Sequence, residues 1–265
     1  MNVRLSTVAP TVTDYLSWSR ISAYLRCPHQ YAMRYIDRVP AEHRPVALLF
    51  GTAWHDTVGV FLEKSGNPTT PELVEVFAES FDQELDEGDV PVHFDDGETR
   101  DTILETARGM VEAFREEVKP PFELLDRERS FSIELAHPVT GEILAVPVVG
   151  SIDALVLVNG EKQLWELKSS KRRWTADQLD NDGQVTVYQI AARELGHADA
   201  KLELVVTTKS KKPDVQVERV VRHRRDEQEL AELAFGVLTA IEAGVEYRVR
   251  AWQCRSCQWA GSCSP

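Results

Sequence analysis

Hydrophobic and polar residues follow two different patterns along the chain. In the first half, apolar residues recur at spacings of three and four, which is typical of amphipathic helices. The helices predicted from this spacing are 17–27, a turn from Pro28, 50–66, 71–88 and 99–118. The Lys-Pro-Pro triplet at 119–121 marks the end of this helical region.

The second half contains runs of alternating or continuous apolar residues, as in strands. Strands are predicted at 130–135, 144–158, 162–170, 201–208 and 215–223, and helices at 176–196 and 226–244. The Asn159-Gly160 dipeptide, between two of these strands, is a strong signal for a tight hairpin turn. This order of elements predicts a mixed α/β core preceded by a helical N-terminal part.

The length and composition suit one large globular domain. The chain has 265 residues, of which 43% are hydrophobic. No apolar run approaches the roughly 20 residues of a membrane span, and the N-terminus lacks the basic and apolar layout of a secretory signal. We therefore expect a cytoplasmic protein without a membrane partner, whose thiols stay reduced.

The formal net charge of −13 would argue against a nucleic-acid partner, because phosphate binding uses lysine and arginine. The charge is unevenly distributed, however. Residues 72–117 contain 16 acidic residues and three arginines, whereas residues 162–173 contain five basic residues and one acidic residue. The acidic block is interpreted as the solvated face of a helical subdomain, and the local charge keeps a nucleic-acid partner open.

Three charged residues lie on the two strands of the predicted hairpin. Asp153 lies on its first strand, while Glu166 and Lys168 lie two residues apart on its second strand and so share a face. Converging carboxylates repel each other unless a cation lies between them, and such oxygen ligands suit Mg²⁺ or Mn²⁺. Each residue alone is explained more simply as an exposed strand position, but the joint pattern favours metal-dependent chemistry.

The stretches GSID and WELK resemble the bipartite signature of the PD-(D/E)XK nuclease superfamily. FGTAWHD resembles a helical motif of the RecB-type branch in which a histidine binds metal, and His55 occupies that place. GQVTVYQ resembles the branch's Gln-x-x-x-Tyr helix, with Gln184 and Tyr188 one turn apart. Without these companions, His55 and Tyr188 would be interpreted as packed helix residues.

The resemblance implies a restriction-endonuclease-like core, in which a central mixed sheet is flanked by helices. The groups that would hold Mg²⁺ or Mn²⁺ are His55, Asp153, Glu166 and the Leu167 carbonyl. Lys168 would position the attacking water or steady the charge on the phosphate. Gln184 and Tyr188 would contact DNA or brace Lys168.

Three of the four cysteines lie in the last twelve residues, and the fourth lies near the N-terminus. They are Cys27, Cys254, Cys257 and Cys263. For reduced thiols, metal ligation is the first alternative to a disulfide. This spacing resembles the iron–sulfur nucleases of the branch, such as the four-cysteine CRISPR-associated exonucleases and the AddB-type nuclease domain, and implies a [4Fe–4S] cluster that joins the two chain ends. Structural zinc and unligated cysteines are the alternatives.

The resemblance therefore implies a Mg²⁺- or Mn²⁺-dependent deoxyribonuclease, most simply an exonuclease on single-stranded DNA ends in recombination, repair or CRISPR adaptation. Basic residues after the hairpin could neutralise phosphates beside a stacking tryptophan, although a solvated loop explains them nearly as well. These residues are Lys171, Arg172, Arg173 and Trp174. One rival is a DNA-end-binding subunit that acts only with recombination or adaptation proteins, and another is a zinc-stapled structural protein.

One nuclease domain is predicted to span residues 1–265. Within it, we expect a helical insertion at 67–121 and a cysteine tail at 250–265 that completes the cluster with Cys27. The sequence leaves open the oligomeric state, including a ring, and the polarity of digestion. It also leaves open the preference among DNA ends, flaps and RNA.

Overall fold

A computed structural model describes residues 13–263, so the last two residues of the predicted cysteine tail and the first twelve residues of the chain lie outside the described residues. The chain forms two compact units, each assembled from separate stretches of sequence. Unit 1 comprises the described residues up to Glu42, Phe131–Gly150, and the chain from Arg222 onward. Unit 2 comprises His43–Ser130 and Ser151–Val221.

The described helices reproduce most of the predicted ones. Those of unit 1 are α1 (Trp18–Arg26), α2 (Pro28–Tyr31), which continues into a π-helical turn (Ala32–Ile36), α8 (Arg224–Glu242), and a 3₁₀ turn at Trp252–Ser256. Those of unit 2 are α3 (Val46–Glu63), α4 (Thr70–Asp86), α5 (Arg100–Glu117), α6 (Ala176–Asn181) and α7 (Gly183–Glu194). None of the helices within residues 13–263 is long and apolar enough to cross a membrane.

The strands form one short parallel pair and one larger mixed sheet. The pair consists of β1 (Arg44–Pro45) and β2 (Val92–His93). The larger sheet has the order β3 (Phe122–Ile133), β4 (Val148–Val158), β5 (Glu161–Ser170), β6 (Lys201–Thr208) and β7 (Val215–Val220). The β4–β5 and β6–β7 pairs are antiparallel, whereas β5 and β6 are parallel, so the central sheet is mixed as predicted.

The core of unit 2 lies between this sheet and helices α3, α4 and α5. Trp54 and Phe61 of α3 both pack edge-on against Phe114, with ring centroids 5.8 and 5.5 Å apart. Trp165 and Leu167 of β5 belong to the same buried cluster. Because side chains alternate along a strand, the residue between them, and the residue after Leu167, face the other side of the sheet.

The predicted hairpin turn is confirmed. Asn159 and Gly160 both have positive φ, 51° and 82°, as a two-residue turn of this kind requires. The flanking residues Val158 and Glu161 are paired, and the ladder continues to Ala154 and Trp165.

Several predicted boundaries were wrong, among them the start of the strand predicted at 144–158, which begins at Val148, and the end of the strand predicted at 215–223, which ends at Val220. Three other differences have a physical reason. Helix α3 begins four residues earlier than predicted, after Pro45, whose extended backbone precedes the first turn. Strand β3 begins eight residues earlier, because as an edge strand it tolerates the charged residues that interrupt its apolar pattern. The single helix predicted at 176–196 is two helices, since the Asp182 backbone is extended and its carboxylate caps α7.

Candidate active site and cysteine cavity

Asp153 reaches its position because strands β4 and β5 stop pairing next to it. The ladder ends at Ala154 and Trp165, and the Asp153 Oδ2 atom then accepts a hydrogen bond from the Leu167 backbone amide at 2.8 Å. A side chain therefore satisfies an amide that a neighbouring strand would otherwise serve. In the structure, Leu167 contacts Asp153 through its backbone amide. Metal ligation by the Leu167 carbonyl stays a prediction.

Glu166 is the most deeply buried acid of this group. Its side chain is 1% exposed, and Oε1 forms an ion pair with the Lys168 ammonium group. Oε2 is buried and has no hydrogen-bond partner among the described residues. A buried carboxylate oxygen without a partner is costly, so this atom marks a place where a cation or a proton would be stabilised.

The two carboxyl groups have raised pKa values in the protein. Burial raises the pKa of Asp153 to about 6, although the Leu167 amide opposes this effect. Burial also raises the pKa of Glu166 to about 8, with Lys168 opposing and the Asp153 charge adding to the increase. Both shifts mean that the metal-free site resists carrying two negative charges.

Lys168 is held by a directed chain of hydrogen bonds. Its Nζ donates to Gln184 Oε1 at 2.8 Å, and the Gln184 amide nitrogen donates to the Tyr188 hydroxyl at 3.1 Å. The Tyr188 hydroxyl in turn donates to the Ser151 carbonyl. Burial would lower the pKa of Lys168, but Glu166 outweighs this effect and raises it, so the ammonium form is favoured.

His55 approaches the two acids from helix α3. Its Nδ1 lies 3.8 Å from Asp153 Oδ1, beyond hydrogen-bond distance, and its side chain is 36% exposed. Burial lowers its pKa, with Glu166 acting in the opposite direction. The neutral imidazole favoured in this way is the form that binds metal ions.

The two carboxylates fit a hard divalent cation. No group of three or more His, Cys, Asp or Glu side chains within residues 13–263 is arranged to hold a metal ion. Mg²⁺, however, usually keeps several waters and needs only one or two carboxylates. Asp153 and Glu166 supply these, and the unpartnered Glu166 oxygen is an atom that such an ion would satisfy.

The basic residues that follow β5 are only partly available. Lys171 Nζ lies 2.6 Å from Asp95 Oδ2, and Arg173 forms an ion pair with Asp214. Arg172 is exposed, and no acidic partner for it occurs in the part of the chain that the structure describes. Lys171 and Arg173 would therefore each have to give up an existing ion pair in order to bind a phosphate.

Trp174 does not project freely from this loop. Its side chain is half-buried, and the Gln216 side chain accepts from its backbone amide at 2.8 Å and donates to its carbonyl at 3.1 Å. These contacts fix the backbone of Trp174, while stacking of its ring on a base stays a prediction.

The sequence patterns missed two acidic residues near the site. The Asp182 carboxylate accepts hydrogen bonds from the Gln184 and Val185 amides at 2.8 and 3.2 Å, which starts α7 and orients Gln184. An Asp just before a helical pattern is an N-cap signal that could have revealed it. Glu128 has a positive φ of 50° and adds to the charge that acts on Asp153, but nothing in the sequence distinguishes it from nearby charged residues.

The four cysteines come together in unit 1, where they line one cavity of about 590 Å³. None of them forms a disulfide. Burial raises the pKa of the Cys257 thiol, and the charges of the other three cysteines raise it further, so all three lie near Cys257. Their contributing segments are Cys27, between α1 and α2, and the tail that carries Cys254, Cys257 and Cys263.

Side chains of unit 1 fix this tail. Trp259 is 3% exposed, and its indole N–H donates to the Val39 carbonyl at 2.8 Å. The Glu42 carboxylate accepts hydrogen bonds from the Gly261 and Ser262 amides at 3.1 and 2.8 Å. A four-iron cluster takes one thiolate at each iron. The four thiols line the same cavity, but within residues 13–263 they are not arranged as a group that could hold a metal ion.

Comparisons with known proteins agree with this architecture. A solved structure described as "Putative exonuclease" from Eubacterium rectale is similar over 97% of this chain and 93% of its own, with a TM-score of 0.52 and 14% identity. A second solved structure, SSO0001, covers 92% of both chains at 12% identity, but its TM-score of 0.38 is too low to bear on the fold.

No curated protein matches the sequence. The sequence profile of the PD-(D/E)XK nuclease superfamily, in contrast, matches residues 15–264, which is nearly the whole chain and includes the acidic cluster formed by Asp153 and Glu166. The chain belongs to the PD-(D/E)XK nuclease superfamily.

Proposed function

We propose that this protein is a Mg²⁺- or Mn²⁺-dependent deoxyribonuclease that acts as an exonuclease on single-stranded DNA ends. The observation that carries the proposal is the convergence of the half-buried Asp153 with the buried Glu166, an oxygen of which is left without a partner beside Lys168. Family membership supports nuclease chemistry, and the fold similarity to a "Putative exonuclease" supports exonuclease action.

Each side chain has a defined task in this proposal. Asp153 and Glu166, with His55 beside them, would hold the cation, which when bound lowers the pKa of water and offsets negative charge on a phosphoryl oxygen. Lys168 presents an ammonium group to the phosphate or to the attacking water. Gln184 and Tyr188 hold that ammonium group in place, so their role is positioning.

The cofactor that we propose for unit 1 is a [4Fe–4S] cluster. Four thiols around one cavity, with Cys27 from one end of the chain and three cysteines from the other, support it. When bound, such a cluster would cross-link the two ends, which the chain-entropy treatment of a loop this long values at roughly 5 kcal/mol. The pathway that we propose is recombination, repair or CRISPR adaptation, on the basis of the resemblance in sequence motifs.

The test is digestion of single-stranded DNA labelled at either end by protein purified without oxygen, with Mg²⁺, with Mn²⁺ and with EDTA. The Glu166→Gln variant removes one ligand charge with little change of shape. Glu203→Gln is the matched control, because Glu203 is also buried, on the adjacent strand β6, and is paired with Arg219.

We expect metal-dependent shortening by the wild-type protein and by Glu203→Gln, and at least a 100-fold slower reaction with Glu166→Gln. The label that is released first gives the polarity. Binding without cleavage by correctly metallated wild-type protein would contradict the proposal and favour a DNA-end-binding subunit that requires partner proteins. Equal activity of the two glutamine variants would exclude Glu166 from the reaction.

A further inference from the structure

An exposed strip of unit 1 combines arginines with aromatic rings. It consists of Tyr247, Arg248, Arg250 and Trp252, which follow helix α8, together with Arg26 at the end of α1. The Tyr247 side chain is 56% exposed and that of Trp252 is 82% exposed. Aromatic side chains normally bury large areas, so two rings so open to water on one segment call for an explanation.

The backbone of this strip is held in place even though it is neither helix nor strand. The His29 amide donates to the Tyr247 carbonyl at 3.1 Å, and the Gln253 side chain donates to the Arg26 carbonyl at 3.5 Å. The Glu246 carboxylate is hydrogen-bonded to the His29 ring. The backbone of the strip is therefore held in one conformation, which reduces the entropy lost when a ligand binds.

The arginines of the strip are unpaired. Within residues 13–263, no acidic group lies within 4 Å of the guanidinium groups of Arg26, Arg248 or Arg250. Glu246, the one acid between Gly244 and Arg255, is already paired with His29. Unpaired arginines on a chain with a net charge of −13 form a local anion-binding surface, since guanidinium groups bind phosphate through two parallel hydrogen bonds.

These side chains also face one space. Arg26, Arg248, Arg250 and Trp252 all line the cavity of about 590 Å³ that the cysteines border. A ligand that lies against these four residues, beside the space proposed for the cluster, would meet cations and an indole ring together. That combination suits a chain that carries both phosphates and flat rings.

We infer that the arginine–aromatic strip is a binding surface for single-stranded nucleic acid, in addition to the acidic cluster of unit 2. The arginines neutralise backbone phosphates, while Trp252 and Tyr247 stack on bases. In a duplex the base faces are already stacked on each other, so exposed rings of this kind favour a single strand. The inference extends the proposed function to a second site but is testable without cleavage.

The experiment measures binding of the full-length protein to a fluorescent 20-nucleotide oligothymidylate by anisotropy in EDTA, over a range of salt concentrations. The variants are Arg248→Ala/Arg250→Ala, Trp252→Ala and Trp252→Phe. The matched control is Arg224→Ala/Arg225→Ala, which removes two exposed arginines of unit 1 at the other end of α8, roughly 28 Å away along a helix of 19 residues.

We expect the Arg248→Ala/Arg250→Ala variant to bind more weakly and to flatten the slope of log K against log salt by about 1.4, because two phosphate contacts are lost. Trp252→Ala should weaken binding by about 5- to 150-fold without a change in slope. Trp252→Phe keeps a ring and should restore most of the affinity. The Arg224→Ala/Arg225→Ala control should bind like the wild type.

Wild-type affinity and slope for the Arg248→Ala/Arg250→Ala variant would overturn the inference. Loss of visible absorption with unchanged DNA binding would also overturn it, because the arginines would then serve the cysteine cavity. Tighter binding to vesicles of anionic phospholipid than to the oligonucleotide would point instead to a membrane surface. If the wild type binds through the strip but cleaves nothing, the proposed nuclease activity fails while this inference stands.

Discussion

The acidic cluster of unit 2 and the cysteine cavity of unit 1 are assembled in opposite ways. Asp153 and Glu166 lie on two strands joined by a two-residue turn, each one residue beyond the last pair of the ladder, so the hairpin brings them near each other. Cys27 and Cys254 are separated by more than 220 residues and meet through irregular segments. Regular secondary structure thus positions the buried charges, whereas side-chain contacts such as those of Glu42 position the thiols.

The electrostatics of the two regions differ as well. In unit 2, Glu166 is buried and Asp153 is half-buried, and burial raises the pKa of both carboxyl groups, so their ionisation in the folded protein is unfavourable. In unit 1, exposed arginines surround thiols that are only half-buried or exposed. We infer that the first region is built for chemistry and the second for cross-linking and binding, and each of the following changes tests that division.

The largest effect is expected from Lys168→Ala. Loss of the ammonium group beside Glu166 removes charge stabilisation, so cleavage of single-stranded DNA should fall by roughly 100- to 1,000-fold. The visible absorption expected from the proposed cluster in unit 1 should not change. Lys162→Ala, on the same strand and paired with Asp199 at 3.2 Å, is the control and should keep its activity. A bleached Lys168→Ala protein would contradict the separation of roles.

Cys257→Ser should affect the other region. If the proposed cluster cross-links the chain ends, this variant loses the visible absorption and up to about 5 kcal/mol of stability. The melting temperature, measured by calorimetry without oxygen, should fall by roughly 10 °C. Ser256→Ala changes the preceding exposed residue and should melt like the wild type. Equal melting temperatures of the two variants would mean that the cysteines bind no cofactor that stabilises the fold.

Glu166→Gln should stabilise the metal-free protein at high pH. Because burial raises the folded-state pKa of Glu166 from 4.5 to about 8, the folded protein holds this proton more tightly than the unfolded chain does. The resulting stability is present below pH 4.5 and is lost as the pH rises towards 8. The variant should therefore be the more stable protein at pH 8, but not at pH 4.5.

Urea unfolding in EDTA at the two pH values measures this difference, and added Mg²⁺ should reduce the advantage of the variant by stabilising the wild type. Glu203→Gln, which loses a paired acid, should be less stable than the wild type at pH 8. A Glu166→Gln variant that is destabilised at both pH values would indicate that Glu166 is a structural partner of Lys168.

The smallest effect is expected from Asp182→Ala. The variant loses the hydrogen bonds that start α7, which should cost about 1 kcal/mol. Gln184 then holds Lys168 less firmly. The rate of cleavage should therefore fall by a few-fold beyond the decrease that follows from a smaller fraction of folded protein. Asp180→Ala, an exposed position of α6, is the comparison. Unchanged cleavage would show that α7 does not need this cap to orient Gln184.

Local patterns predicted the hairpin well, because Asn159-Gly160 fixes the turn and the alternation of residues fixes the faces. They did not predict that β4 and β5 separate beyond Ala154, since no sequence signal specifies where a ladder stops. The meeting of Cys27 with the tail came only from resemblance to a family, because contacts at such separation leave no periodic signal. The break at Asp182 was missed because both halves have the same helical spacing.

The hydrogen bond from the Leu167 amide to Asp153 constrains substitution at position 153 independently of the role that we propose for it in cleavage. In a lineage that no longer cut DNA, alanine at position 153 would still leave a buried amide without an acceptor. Asparagine there would keep the acceptor and lose the charge. Descendants that have lost cleavage should therefore carry asparagine at position 153 more often than alanine, because asparagine still accepts the hydrogen bond from the Leu167 amide.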